Sequence, residues 1–269
     1  MTNVTPHIID AFTAPDGTRK KAFIPFITCG DPSLDVTEEL LLAMQEAGAD
    51  LIELGIPFSD PTAEGPVIQQ ANLRALEGGV TTDDVFAMVG RVRAAGLTVP
   101  LVFMTYANVV YGYGIERFAA REREVGMQGI ILPDVPFEEK AEFSKAFAAE
   151  GLDVVSLIAP TSHDRIRTIA REATGFVYVV SSLGVTGVRS EITTDIGAMI
   201  QLIREANPGV PAAVGFGIST PEQAAQMAAV SDGAIVGSAI VKLLAAHGAD
   251  AVPLAADYVR QMAAATHAA

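Results

Sequence analysis

The sequence predicts an α/β fold: a single-domain (β/α)8 TIM barrel with an extra N-terminal helix. Three observations support this prediction, namely eight short apolar runs, amphipathic segments between them, and a chain length of 269 residues. The runs are almost continuously hydrophobic, which is typical of parallel strands that are buried on both faces. Eight strand–helix units in a chain of this length match the size of such a barrel.

The predicted elements follow one another in a regular order. Residues 1–21 are expected to form an N-terminal helix covering the barrel floor, followed by a polar loop around Asp16. The eight strand runs come next: AFIPFITCG from Ala22, ADLIELGIP from Ala49, VPLVFMTY from Val99, MQGIILPDVP from Met127, DVVSLIAP from Asp153, GFVYVVSS from Gly175, VPAAVGFGIS from Val210 and GAIVGSAIV from Gly233. Residues 249–269 are rich in alanine and predict a closing helix with a frayed tail. No Pro/Gly/Ser-rich linker interrupts the alternation, so residues 1–269 are interpreted as one domain.

Two helix starts can be located from capping residues. Asp31 followed by Pro32 suits an N-cap and a first helical position, and the apolar residues between Leu34 and Met44 recur on one helix face. Late in the chain, the stretch Thr220–Gln223 has the pattern of a capping box.

The main alternative fold is an open, doubly wound sheet. Its dinucleotide-binding turn needs three glycines between a strand and a helix, with an acidic residue about twenty positions later. The nearest stretch, Gly112–Ile115, lacks the third glycine and is interpreted as a loop. The barrel is therefore the favoured fold.

Charge and cysteine content limit the partners and the compartment. The chain has 18 Lys and Arg against 32 Asp and Glu, a net charge of −14, which repels nucleic acid and anionic membranes. Its single cysteine, Cys29, excludes an internal disulfide and predicts a reducing, cytoplasmic location. The N-terminus lacks the pattern of a secretory signal, and no apolar run approaches the ~18 residues of a membrane span.

Two carboxylates near the second predicted strand are the candidate catalytic residues. In a βα barrel, functional side chains lie where strands end. Glu53 lies inside an apolar strand, where burial raises a carboxyl pKa towards the range used in acid–base catalysis. The loop Pro57–Pro66 carries Asp60 and Glu64 on a proline-stiffened backbone. The structural alternative, which stays open here, is that these carboxylates only satisfy neighbouring hydroxyls and loop amides.

Three glycine clusters follow the last three predicted strands, at Gly184–Gly187, Gly215–Ser219 and Gly237–Ala239. Glycines allow close approach of the backbone, and the helix that opens at Ser238 offers N–H groups to an anion. The loops after strands seven and eight commonly bind phosphate in this architecture. The clusters favour a phosphate site, although each glycine could also serve a tight turn.

Aromatic and large apolar residues near the strand ends could line an apolar pocket or simply fill the core: Phe26, Phe103, Met104, Tyr106, Tyr178 and Phe216. The four histidines show no spacing typical of metal ligands, so no metal site is predicted.

Taken together, these residues resemble the tryptophan synthase α subunit family. The resemblance extends from about Phe23 to Leu244 and is carried by four stretches: Pro25–Pro32, Glu53–Pro61, Gly184–Gly187 and Gly215–Ser219. It implies a lyase that cleaves (1S,2R)-1-C-(indol-3-yl)glycerol 3-phosphate to indole and D-glyceraldehyde 3-phosphate. Glu53 occupies the position of the family's catalytic glutamate. The second carboxylate is usually aspartate in the family, whereas this chain has Glu64.

The resemblance also implies binding residues and a partner. It assigns the substrate phosphate to Gly187, Gly217, Gly237 and Ser238. It assigns the indole pocket to Phe26, Ile68, Met104, Tyr178 and Phe216, and it places Thr186 in a mobile loop that closes over substrate. The partner is the β subunit in an αββα heterotetramer, contacted by the strand-two loop through Pro57 and Asp60. No cofactor or metal is expected in this subunit, because pyridoxal phosphate belongs to the β partner.

Three alternative functions stay open. A phosphosugar isomerase would need a histidine or cysteine acid–base pair at the strand ends, which the sequence does not offer. An α-like allosteric partner with weak lyase activity is kept open by Glu64. A free-standing indole-releasing lyase cannot be separated from the subunit by sequence.

Overall fold

The computed structural model describes residues 6–181, 195–215 and 217–269. Eight parallel strands form a closed barrel in chain order, with β8 paired to β1. They are β1 (Ala22–Thr28), β2 (Ile52–Gly55), β3 (Leu101–Met104), β4 (Gly129–Ile131), β5 (Asp153–Ile158), β6 (Val177–Val180), β7 (Ala212–Gly215) and β8 (Gly233–Val236). The predicted (β/α)8 barrel is confirmed.

Helices surround the barrel and connect its strands. In the described part of the chain they are α1 (Leu34–Glu46), α2 (Pro66–Glu77), α3 (Thr82–Ala94), α4 (Ala107–Tyr113), α5 (Ile115–Val125), α6 (Lys140–Ala149), α7 (His163–Arg171), α8 (Ile196–Ala206), α9 (Pro221–Val230), α10 (Ser238–His247) and α11 (Ala251–His267). The N-terminal helix is a 3₁₀ turn, Ile8–Phe12, and its Phe12 ring lies 5.9 Å from that of Phe176 inside the barrel. At the other end, the His267 Nε2 atom lies 2.7 Å from Asp50 Oδ2.

The first helix begins later than predicted. Its N-cap is Ser33, whose hydroxyl accepts a hydrogen bond from Val36 N, and not Asp31. The Asp31 carboxylate is engaged elsewhere, because it accepts two hydrogen bonds of 2.7 Å from the Arg74 guanidinium on α2. The second predicted start is confirmed: Thr220 and Gln223 form a capping box at α9.

Strand side chains alternate between the barrel interior and the helical layer, as the period of a β-strand requires. On β5, Val155 and Leu157 belong to the cluster inside the barrel, whereas Val154 and Ile158 pack with the surrounding helices. Ser156 therefore faces the helices as well, and its hydroxyl accepts a hydrogen bond from Lys140 of α6.

One helical stretch, residues 238–267, is long and apolar enough to cross a membrane by length and composition alone. It is interrupted by a 3₁₀ turn at Gly248–Asp250, and α11 packs against α1, α9 and β1. Core helices of soluble proteins pass the same test of length and apolarity.

Candidate active site

Glu53 is a buried carboxyl in the middle of the second strand. It pairs in register with Phe26 of β1 and Val102 of β3, and only 1% of its surface is exposed. Within the described residues, neither carboxyl oxygen has a hydrogen-bond partner. Burial raises the pKa of Glu53 well above its ordinary value, and the negative charge of Glu64 raises it further. Both effects favour the protonated form of the side chain, from which a proton can pass to a bound molecule.

Glu64 is the second buried carboxylate, 3% exposed, in the loop between β2 and α2. Its backbone is held at both ends, since its N–H donates to Pro61 O at 3.0 Å and its carbonyl accepts from Gln69 Nε2 at 2.8 Å. Its charge raises the pKa of Glu53, Tyr106 and Tyr178. Because such an effect requires proximity, the structure brings the two predicted carboxylates together.

Two amides of the loop around Glu64 are bonded by side chains of other elements. Phe58 N donates to Asn72 Oδ1 at 3.1 Å, and Ala63 N donates to the Tyr106 hydroxyl at 3.1 Å. Asp60 is exposed and accepts a 2.6 Å bond from Ser59 Oγ, whereas Pro57 is buried within the chain. The Phe58 and Ala63 amides therefore have partners other than Asp60 and Glu64.

Thr28 lies at this site but was not among the predicted residues, and Tyr106, predicted only as a pocket or core residue, contacts the loop after β2. Besides bonding Ala63, Tyr106 stacks on Phe58 with ring centroids 5.2 Å apart, so it fastens the catalytic loop to the end of β3. The Thr28 hydroxyl is buried at the end of β1, two residues beyond Phe26, with no partner in the described residues. The position of both residues at strand ends was the available signal.

The predicted apolar pocket is assembled from several strands and one helix. Phe26, Ile68, Met104 and Tyr178 belong to one cluster of buried residues inside the barrel. Glycines make room for its rings: a Cβ on Gly55 would lie 2.8 Å from Phe26 Cζ, and one on Gly215 would lie 2.3 Å from the Tyr178 hydroxyl oxygen. Phe216, also predicted here, lies outside the described residues.

Three of the predicted phosphate residues follow the carboxyl ends of β7 and β8. Gly217 has φ 86°, a left-handed conformation that favours glycine. Gly237 is the N-cap of α10, where no side chain caps the first turn, and Ser238 is the first helical residue. A helix N-terminus offers N–H groups to an anion. Gly187 and Thr186 lie outside the described residues.

No group of three or more His, Cys, Asp or Glu side chains within the described ranges is arranged to hold a metal ion. Cys29 is buried, and burial raises the pKa of its thiol. This places Cys29 among packed thiols and not among reactive ones.

Comparisons with known proteins identify the family of this chain. The family model described as tryptophan synthase alpha chain matches residues 12–267. A tryptophan synthase alpha chain from Lactiplantibacillus plantarum is 49% identical over 243 residues, covering 90% of this chain and 91% of that protein. One from Geobacter sulfurreducens is 52% identical over 225 residues, covering 83% of this chain and 84% of that protein.

Solved structures give the same result. The crystal structure of tryptophan synthase subunit alpha from Legionella pneumophila has a TM-score of 0.83 at 39% identity, covering 93% of this chain and 94% of that chain. A structure of Mycobacterium tuberculosis tryptophan synthase has a TM-score of 0.83 at 33% identity, covering 92% and 93%. The sequence and fold similarity over nearly the whole chain shows that this protein belongs to the tryptophan synthase alpha chain family.

Proposed function

We propose that this chain cleaves (1S,2R)-1-C-(indol-3-yl)glycerol 3-phosphate to indole and D-glyceraldehyde 3-phosphate, with Glu53 as the acid–base residue. Membership of the family makes it a lyase of the tryptophan synthase type. The observation that carries the residue assignment is the carboxyl of Glu53, which is buried within β2, has no hydrogen-bond partner in the described residues and is acted on by the charge of Glu64.

The proposed chemistry uses one carboxyl group twice, first to give a proton and then to take up another. Neutral Glu53 protonates C3 of the indole ring, which leaves a positive charge on the ring nitrogen and a carboxylate on Glu53. The carboxylate then removes the proton from the glycerol hydroxyl next to the ring. The O–H electrons form the aldehyde C=O bond, the carbon–carbon bond breaks, and its electrons restore the aromatic indole. Glu53 ends the cycle protonated, as it began.

Glu64 is proposed to balance the charge that develops at the indole nitrogen. A glutamate reaches on the order of 1 to 1.5 Å further than the family's usual aspartate, and a misplacement of that size can cost ~100-fold in rate. The anchored loop argues for compensation, because Pro61, Gln69 and Tyr106 fix the backbone from which Glu64 extends.

Substrate phosphate is proposed to bind backbone N–H groups near Gly187, Gly217 and Gly237, together with the Ser238 hydroxyl. The partner is proposed to be a β subunit in an αββα heterotetramer, contacted through the exposed Asp60; Pro57, predicted with it, is buried within the chain. Pyridoxal phosphate would belong to that partner, and this subunit would need neither cofactor nor metal for its own step. A cytoplasmic location is consistent with the single cysteine.

The test is indole release from indole-3-glycerol phosphate by the purified chain and by Glu53→Gln, each with and without a β subunit. We expect the wild type to release indole and the variant to lose cleavage while keeping its circular dichroism and melting curve. Near-normal turnover by Glu53→Gln would refute the assignment. A wild type that releases no indole under either condition would favour the second candidate, an allosteric partner with little lyase activity of its own.

A further inference from the structure

The helical layer contains a cavity at β5, lined by the outward-facing Ser156 and also by Val155 and Leu157, which belong to the cluster inside the barrel. Helix α5 packs against α6, and α7 packs against α8. The cavity lies between these two pairs and has a volume of about 210 Å3. Its walls are mainly apolar, with Leu132, Val135, Phe137, Val154, Leu157 and Ile169 among the lining residues.

A lysine ammonium lies in this apolar setting. Lys140, the first residue of α6, lines the cavity, and its Nζ donates a 2.7 Å hydrogen bond to Ser156 Oγ on β5. Among the described residues, no carboxylate forms an ion pair with Nζ. An ammonium carries three donors, and Lys140 is half-buried, so its charge is partly withdrawn from water without an anionic partner at hydrogen-bond distance. A hydroxyl satisfies one donor and none of the charge.

The second cation at the cavity is already neutralised. Arg165 of α7 makes two hydrogen bonds, of 2.6 and 3.1 Å, to the carboxylate of Glu138, which lies just before α6. This pair bridges the two helices at the exposed mouth of the cavity. Exposed ion pairs contribute little stability, so the bridge can open at small cost. Lys140 is left as the positive charge at the cavity without a carboxylate at ion-pair distance in the described residues, although Asp153 and Glu172 act on it from further away, and a single such charge fits a monoanion better than a phosphate.

We propose that this cavity binds a small carboxylate with an apolar body, a ligand unrelated to the reaction proposed above. The carboxylate pairs with Lys140 Nζ and accepts a hydrogen bond from the Ser156 hydroxyl. The apolar body of the ligand fills the space lined by Val154 and Ile169. Burial lowers the pKa of Lys140, opposed by the charges of Asp153 and Glu172. An incoming carboxylate supplies the compensating charge at hydrogen-bond distance.

Calorimetric titration with 3-phenylpropionate tests the proposal, with the neutral 3-phenylpropionamide as the matched probe. We expect saturable binding of the acid by the wild type and binding about tenfold weaker for the amide, because a charge-assisted hydrogen bond is lost. Lys140→Met should weaken binding of the acid by about the same factor. Lys145→Met, an exposed lysine on the same helix, is the matched control and should bind like the wild type.

A second variant shows where the probe binds. Ser156→Phe fills the cavity from the floor without touching the barrel interior, so it should abolish binding, whereas a probe held in the indole pocket would still bind. Melting curves show which variants are folded. The proposal is overturned by the absence of saturable binding to the wild type, by equal binding of acid and amide, or by unchanged binding to Lys140→Met.

Discussion

At the scale of single residues, the negative charge of Glu64 raises the pKa of Glu53. Burial is the larger cause of the raised pKa of Glu53, and the charge of Glu64 is the second cause. Glu64→Gln removes that charge, so ionised Glu53 becomes less costly and its pKa falls, while burial keeps the pKa above its ordinary value. The alkaline limb of the kcat/KM profile, which requires protonated Glu53, should move to lower pH. Indole release measured across the pH range gives this limb even if the rate falls.

The matched control for this shift is Asp60→Asn. Asp60 lies in the same loop, but its carboxylate is exposed and is not among the causes of the Glu53 shift. We expect its alkaline limb to coincide with that of the wild type. A limb that stays in place in Glu64→Gln would mean that Glu64 carries no charge next to Glu53.

Some features of single residues could be predicted from the sequence, and others could not. Glu53 was predictable because a charged residue inside an apolar strand run stands out. The bond between Arg74 and Asp31 was not, because it joins residues far apart in the chain and depends on how α2 docks against the end of β1. The role of Tyr106 was hidden for the same reason: its hydroxyl acts on a loop from a different strand.

At the scale of elements, a substitution at the start of α10 can distinguish a role in substrate binding from a role in packing. A Cβ on Gly237 would lie 3.0 Å from Phe26 Cδ1, so a bulky residue there disturbs the indole pocket as well as a phosphate site. Ser238→Ala removes a hydroxyl from the first turn and adds no atoms. We expect it to raise the substrate KM about three- to tenfold with little change in melting temperature. An unchanged KM would assign this turn a purely structural role.

Helix α5 carries a buried acid that the proposed mechanism does not use. Both carboxyl oxygens of Glu122 are buried without partners in the described residues, and burial raises its pKa well above 4.5. Folded Glu122 therefore keeps its proton at pH values where the unfolded chain has lost it. Stability falls as pH rises above the unfolded value, by about 1.4 kcal/mol per unit until the folded pKa is reached. Glu122→Met should stabilise the protein by about 1–3 kcal/mol near pH 8 and by less near pH 5.

Urea unfolding of the wild type, Glu122→Met and Glu122→Gln at both pH values measures this effect. The glutamine variant cannot titrate, so it should lose the pH dependence while keeping an unsatisfied polar group. Glu53 also makes the free energy of unfolding depend on pH, but by a similar amount in all three proteins, so its contribution cancels when they are compared. Equal stabilisation at pH 5 and pH 8 would contradict a protonated Glu122.

Element boundaries were less predictable than element identities. The ten-residue run from Met127 contains a strand of only three residues, Gly129–Ile131. The run continues to be apolar because Leu132, beyond the strand end, is also buried. Hydrophobicity records burial, and in a barrel the loops at the strand ends are buried too, so a run overestimates the strand it contains.

At the scale of the whole molecule, barrel closure followed from the sequence because eight buried parallel strands leave few other arrangements. The cavity between α6 and α7 could not be predicted from the sequence, since helix packing around a barrel depends on side-chain volumes from several elements. One loop, between β2 and α2, spans the distance from surface to site. Asp60 is exposed near its start, and Glu64 is buried four residues later.

This loop gives a route by which a partner could act on the reaction. A β subunit that binds Asp60 would restrict the backbone that positions Glu64, and allosteric couplings of this kind are typically worth about 1–3 kcal/mol, or 5–150-fold. We expect indole release to accelerate within that range as β subunit is added. Asp60→Ala should lose most of the acceleration, whereas Asp257→Ala, an exposed carboxylate on α11, should keep it. A rate that does not respond to the β subunit would disconnect the loop from the partner, and equal loss in both variants would mean that overall charge, and not this contact, carries the activation.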